Sequence, residues 1–527
     1  MAGFKRISTD RVAALPATPN TRLADLLVAN TDQRPNKTAW VERPSRHESI
    51  DISWQQLSIL TAGMANHLQS LGVKNGSIVL QWGRNSLEWI LIDLACSSLN
   101  AIHAPLDSRL ASTSAESISS SIGSTVVLVD EHVASLKHSR RIPSYRSLPM
   151  GSQLQLANIG HSATDGANLL FTSGTSNEPR AVLLSHQNLV SNAISKLDAM
   201  PQRESDRRLN LLPFAHAYAR TCELTTWLLS GSSLETVHGT EAFIERLLVA
   251  RPTIVNAVPA VYEHVAQRWK DHGDLPTDLL RCFGGSIRQL ASGGAPISES
   301  TRQEFRDAGI DIYQGYGLTE AGPVVCSNRA ATTTSPPVLA GVGPPVCNTE
   351  IKIDGDGKLW VRGTGVMAGY WQNSSDTCSR IVDGWLDTRD KAELGKDGQS
   401  LQILGRIDDI IVLQNGYKLD PLPIEARVRE LPWVEDCFLF GNGRKSCILI
   451  IKPRCSAIEP PLETLQAQLT KLLPDDVSRA IGAVRFSSEA WNATNGLCNF
   501  KGGKRRRELE SFYSDVLKKE EMPNRCP

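Results

Sequence analysis

Apolar positions recur along this chain in two alternating rhythms. From Trp54 to Leu71 they fall at helical spacing and stop at Gly72, a residue suited to ending a helix. Ser77–Gln81 is short and β-rich, Asn85–Ser97 returns to helical spacing, and Ile102–Leu106 and Ser124–Val129 have the texture of strands. The alternation continues through Leu209–Leu212, a helix over Cys222–Leu229, Ser233–Thr236, a helix over Ala242–Ala250, and Thr253–Ala257. This order predicts an α/β fold, with the polar stretch Ala134–Asp165 as a surface excursion. After about Val346 the chain becomes strand- and turn-rich as far as Gly405, and a shorter α+β unit follows. Neither a repeat nor a low-complexity linker separates the parts, so the expected boundary, 1–405 against 406–527, is a tight hinge.

Composition narrows the classes. The 527 residues are 41% hydrophobic and 21% charged with zero net charge, which leaves no electrostatic pull toward nucleic acid or an acidic membrane. The first twenty residues lack the apolar core of a secretion signal, and no apolar run is long enough to span a bilayer. The 11 cysteines are odd in number and lack CxxC spacing, as expected of reduced thiols in a cytoplasmic protein.

Chemistry concentrates in a few segments. Leu170–His186 packs Thr172, Ser173, Gly174 and Thr175 into a small, hydroxyl-rich loop followed by the cation Arg180. Hydroxyls and closely spaced backbone N–H groups can surround phosphate oxygens there, although a polar surface loop would have the same composition. Asp311–Pro323 enters a Gly-Tyr-Gly turn and leaves through Thr319 and Glu320, so a flat aromatic is followed by a hydroxyl and a carboxylate. Such a set can meet a planar base, a phosphate and its magnesium ion; a turn around a buried tyrosine is the competing reading. Between these lies the small-residue turn Ser292–Pro296. Downstream come Asp383–Asp390, Gly405–Ile411 and Asn415–Lys418, in which Asp390 could accept both hydroxyls of a ribose with Arg406 beside it.

In this order and at this spacing, the segments resemble the adenylate-forming superfamily of acyl-CoA synthetases, peptide-synthetase adenylation domains and luciferases, from Leu23 to about Tyr513. Leu212–Thr221, Arg251–Val255, Val258–Glu263 and Gly405–Gly416 are most similar to fatty acyl-CoA synthetases. The resemblance implies a large N-terminal domain of stacked αβα layers with a β-rich subdomain, and a small mobile α+β C-terminal domain. It also implies roles. Thr172, Ser173, Gly174, Thr175 and Arg180 would hold the phosphates of ATP. Gly294, Ala295 and Tyr316 would line the adenine, Thr319 would touch the α-phosphate, and Glu320 would hold Mg2+. Asp390 and Arg406 would fix the ribose, and His216 would stand beside the carboxylate pocket. Asp408 would be the hinge, after whose turn the face bearing Gly416 and Lys418 would open a route for coenzyme A. Lys504, in Gly503–Arg507, would be the catalytic cation, with Lys501 in reserve. The implied reaction joins a small-molecule carboxylic acid to coenzyme A through an acyl-adenylate.

Departures from the family pattern keep other readings open. Asn177, Arg180 and Ala181 stand where Gly, Lys and Gly are usual, Arg389 replaces a Gly, and Lys358 replaces a Glu. An enzyme loading a carrier protein in trans, a luciferase-like oxidase, and a silent nucleotide-binding homologue are the alternatives. The acid itself is not legible, nor is the oligomeric state.

Overall fold

The computed structural model describes residues 21–45, 48–149, 151–154, 162–172, 180–270, 275–331, 335–454, 462–491, 495–498 and 504–513. The chain divides into two compact units. The larger takes residues 1–352, 360–388 and 394–401, and the smaller takes 353–359, 389–393 and 402–527. The division therefore interleaves within the β-rich stretch, whereas the sequence suggests a single boundary after residue 405.

Two sheets build the larger unit. One runs Val324–Ser327, Ile312–Gly317, Gln289–Ser292, Ile254–Ala257, Arg207–Asn210, Ser233–Thr236, Thr38–Ser45 and Glu48–Ser53 in hydrogen-bonded order. The other runs Gly369–Tyr370, Arg180–Ser185, Gly166–Thr172, Ile102–Asp107, Ile78–Gly83, Val126–Val129 and Arg140–Arg141. Most interior pairings of both are parallel, as α/β alternation requires, while Arg180–Ser185 pairs antiparallel with both of its neighbours. Ile78–Gly83 and Ile102–Asp107 are buried at every position, which is why they show as continuous apolar runs.

The predicted helices form where local chemistry starts and stops them. Trp54–Ser70 begins in a capping box: the Ser53 hydroxyl accepts from the Gln56 backbone N–H at 3.2 Å, while the Gln56 side chain accepts from Ser53 N–H at 2.8 Å. Gly72 follows at φ +89°, a left-handed stop. The helix expected from Asn85 starts at Leu87, because Ser86 caps Trp89 N–H. Two expectations change. Arg140–Arg141, inside the polar excursion, adds an edge strand beside Val126–Val129. The helix expected over Cys222–Leu229 is a π-helical turn, Arg220–Thr225, running into Thr226–Ser230. The wider turn accompanies the inward commitment of Arg220, described below.

The smaller unit has its own core of Ile411, Leu419, Val428, Leu449, Ile451 and Leu465, packed around a sheet in which Val434–Phe440 and Ile481–Phe486 flank Cys447–Pro453. All nine described cysteines are free; seven are buried, and Cys347 and Cys378 are exposed. Among the described residues no helix is long and apolar enough to cross a membrane.

Candidate active site

The hydroxyl-rich loop springs from a hairpin. Gly166–Thr172 and Arg180–Ser185 pair antiparallel, with Thr172 directly opposite Arg180. Ser173, Gly174, Thr175 and Asn177 lie outside the described residues. The Arg180 guanidinium pairs with Asp376 at 2.8 Å and lies 5.4 Å from the centre of the Tyr370 ring. The Tyr370 hydroxyl in turn donates to Glu320 Oε1 at 2.9 Å, and Arg380 stands 3.9 Å from the same oxygen. One contiguous set thus joins the hairpin to Glu320. Burial, reinforced by the Glu320 charge, pushes the Tyr370 phenol up to about 12, so it remains a donor at neutral pH. Tyr370, Asp376 and Arg380 escape sequence reading, since nothing in their spacing ties them to residue 180 or 320.

The Gly-Tyr-Gly turn has a steric cause. A Cβ at Gly317 would collide with the Pro323 carbonyl oxygen, so only glycine lets the strand Ile312–Gly317 fold back on Val324–Ser327. That hairpin holds Tyr316 half-buried and delivers Thr319 and Glu320 on a 3-10 turn. Gly294 has φ +83°, and it and Ala295 follow the strand Gln289–Ser292 as the sequence suggests.

His216 and Tyr218 are half-buried while their neighbours Ala217 and Ala219 are buried. His216 Nε2 lies 2.9 Å from Asp107 Oδ2, and since a carboxylate can only accept, that nitrogen carries the proton. Arg109 grips the same carboxylate through Nε at 2.9 Å and Nη2 at 2.6 Å. Burial works to raise the Asp107 pKa, but the hydrogen bonds from Arg109 and His216 outweigh it and hold the group well below the usual carboxylate range. Tyr218 stacks on Gly293, where an added Cβ would come within 3.0 Å of its ring, and its hydroxyl donates to the Ala291 carbonyl at 3.3 Å. Ala217 and Ala219 therefore face the core.

In the smaller unit, Asp390 is 5% exposed and pairs with Arg406 at 3.3 Å. Asp408 lies on a 3-10 turn, Ile407–Asp409. Gly416, at φ +82°, and exposed Lys418 belong to the hairpin of Ile411–Val412 with Lys418–Leu419. Arg389 takes φ +59°, the left-handed conformation that glycine adopts freely. Lys504 points inward: its ammonium lies 2.6 Å from Asp436 and 3.3 Å from fully buried Glu425, and donates to the Cys437 carbonyl. Burial opposes its charge, yet the two carboxylates prevail and raise its pKa. Arg506 joins Glu425 at 2.7 Å and Asp409 at 3.6 Å. Lys501 lies outside the described residues.

Two family models match: "AMP-binding enzyme" over residues 27–371 and "AMP-binding enzyme C-terminal domain" over residues 408–482. The first spans more than half of the chain. The chain belongs to the AMP-binding enzyme family. Relatives of this AMP-binding enzyme include a feruloyl-CoA synthase of an Amycolatopsis species, 28% identical over 417 residues, covering 75% of this chain and 82% of the relative. The long-chain-fatty-acid–CoA ligase FadD15 of Mycobacterium tuberculosis is also 28% identical, over 474 residues, covering 75% and 77%. Among solved structures, an anthranilate CoA ligase in complex with anthranoyl-AMP has a TM-score of 0.78 at 20% identity, covering 94% of this chain and 98% of that one. ATP-bound MatB from Rhodopseudomonas palustris also scores 0.78, at 21% identity, covering 94% and 99%. These likenesses establish that the AMP-binding enzyme has the adenylate-forming fold.

Proposed function

We infer that this chain is an AMP-forming acid–thiol ligase. A carboxylate oxygen attacks the α-phosphorus of ATP, the bond to the β-phosphate oxygen breaks, and pyrophosphate leaves an acyl-adenylate. The sulfur of coenzyme A then attacks the acyl carbon, the thiol proton is released, and AMP departs from a thioester. Family membership and the CoA-ligase names of its relatives support the class of reaction. The observation that carries the reading to residues is the continuous run Arg180–Tyr370–Glu320, which brings the hydroxyl-loop hairpin to the Thr319–Glu320 turn.

Charge stabilisation and positioning do most of the work in such a reaction. Thr172 and Arg180 are proposed to anchor the phosphate loop, Tyr316 with Gly294 and Ala295 to hold the base, and Asp390 with Arg406 to hold the ribose. Glu320 fits a magnesium ion: Tyr370 occupies Oε1, which leaves Oε2 as a hard oxygen donor. Among the described residues no cluster of three His, Cys, Asp or Glu could hold a metal alone, so the ion would share its ligands with phosphate and supply charge neutralisation there. The Arg109–Asp107–His216 chain fixes a proton-bearing imidazole beside the acid. Lys504 acts as the bridging cation only after leaving Glu425 and Asp436, which the turn about Asp408 would have to accompany. We place the enzyme in the cytoplasm.

The test is pyrophosphate release from Mg-ATP over fatty and aryl acids, with and without coenzyme A, the products being identified by mass spectrometry. Release accompanied by a CoA thioester is expected. An adenylate that persists despite coenzyme A would shift the acceptor to a carrier protein, and silence from ATP-binding protein would defeat the reading.

A further inference from the structure

Five cationic side chains are buried among the described residues: Lys196, Arg208, Arg220, Arg302 and Arg380. Four have a carboxylate within 4 Å. Arg208 meets Glu223 at 3.2 Å, Arg220 meets Asp93 at 2.9 Å, Arg302 meets Glu299 at 3.4 Å, and Arg380 meets Glu320 at 3.9 Å. Lys196, 3% exposed, has no such partner; its ammonium contacts Met200 Sδ at 2.7 Å and Ser327 Oγ at 3.0 Å. A thioether and a hydroxyl are weak compensation for a desolvated charge. Burial accordingly lowers its pKa.

The amine is also well placed. Ser327 lies directly across from Gly315, and the next pair is Cys326 with Tyr316, so the partner of Lys196 is in register with the Gly-Tyr-Gly strand. Met200 and Cys222 belong to a buried cluster with Ala291 and Val324, against which Tyr218 and Tyr313 pack. Tyr218, two residues from His216, thus packs against the cluster that contains Met200, the sulfur contact of the lysine.

We propose that Lys196 and Ser327 form the far end of the acid pocket and receive a hydrogen-bond-accepting oxygen, a second carboxylate above all, at the end of the acid opposite the carboxyl group that is adenylated. Tyr218 is the wall that turns aside to admit it. The assignment rests on the acid-activating reading above.

The experiment compares matched acids with the wild-type enzyme: cinnamic, 4-hydroxycinnamic and 4-carboxycinnamic acid, and octanoic against suberic acid, each assayed for CoA thioester. Acids with the distal oxygen are expected to exceed their parents in kcat/KM by about 10-fold or more, because a site built around a polar partner rejects the analogue lacking it. Lys196→Met should bring that ratio to about one while still turning over the parent acids, and Ser327→Ala should reduce it partway. The melting temperatures of both variants verify that they fold. Turnover of parent acids with an equal or unchanged ratio overturns the Lys196 assignment and leaves the ligase intact. Absence of thioester from every acid overturns the ligase reading and this one with it.

Discussion

Arg220 and Lys196 occupy the same large unit, both sealed from solvent, and differ in company. Arg220 is tied on two sides: Nη2 to Asp93 at 2.9 Å and Nε to Asn168 at 3.0 Å. Asp93 also meets His103 at 2.9 Å, and His103 meets Gln81 at 2.9 Å, so one cation ties the π-helical turn to strands Ile78–Gly83, Ile102–Asp107 and Gly166–Thr172. Lys196 has only a sulfur and a hydroxyl. Equal burial with unequal pairing separates a charge that holds the fold together from one that the fold merely tolerates.

The comparison breaks first at Arg220. Replacing it with Met strands Asp93 and should cost about 3–5 kcal/mol, readable as a lower urea midpoint; a loss under about 1 kcal/mol would dissolve the distinction. Burial works to raise the Asp93 pKa, but Arg220 and His103 prevail and set it at about 2, below the unfolded value. Its stabilising share is therefore complete above pH ~4 and is lost as pH falls through ~2, and the Met variant should lack that acid limb in a stability–pH titration.

Next in size is Lys504→Met, which removes the cation that Glu425 and Asp436 share and leaves Glu425 to Arg506. About 2–4 kcal/mol of local stability should disappear, seen as faster hydrogen exchange in Pro421–Phe440. Unchanged exchange alongside slowed adenylation would instead mean that this lysine is spent on chemistry alone. Lys196→Met sharpens the contrast from the other side: without a paired carboxylate to strand, thermal unfolding should move by less than about 1 kcal/mol, in either direction. Arg389→Gly is the smallest. Relief of a left-handed backbone worth about 1–2 kcal/mol, less glycine's entropic cost of about 0.5–1 kcal/mol, predicts a slight rise in melting temperature.

What the sequence made legible follows from local chemistry. Thr172 and Arg180 sit at the ends of a hairpin, and Gly317 is demanded by a steric contact with Pro323, close by in the chain, so both signals survive in one dimension. Asp107 and His216 are 109 positions apart, and Glu320 and Tyr370 are 50 apart; such pairs become visible only when the folded sheets bring them together. The π-helical turn escaped because the contact it accompanies, Arg220 with Asp93, joins residues 127 positions apart. The inward turn of Lys504 is not legible in its run of four basic residues, three of which divide between Glu425 with Asp436 and the helical partner Glu508.

The exposed thiol of Cys378 lies on the short helix Ser374–Arg380, which also carries Asp376 to Arg180 and Arg380 toward Glu320. Among the described thiols the rest are buried save Cys347, so a maleimide dye would settle on these two in preference to the others. With Cys347, Cys455 and Cys526 all replaced by Ser, a dye at Cys378 would report on the helix that grips the Gly166–Ser185 hairpin, and a change in its fluorescence on adding ATP would mark nucleotide arrival.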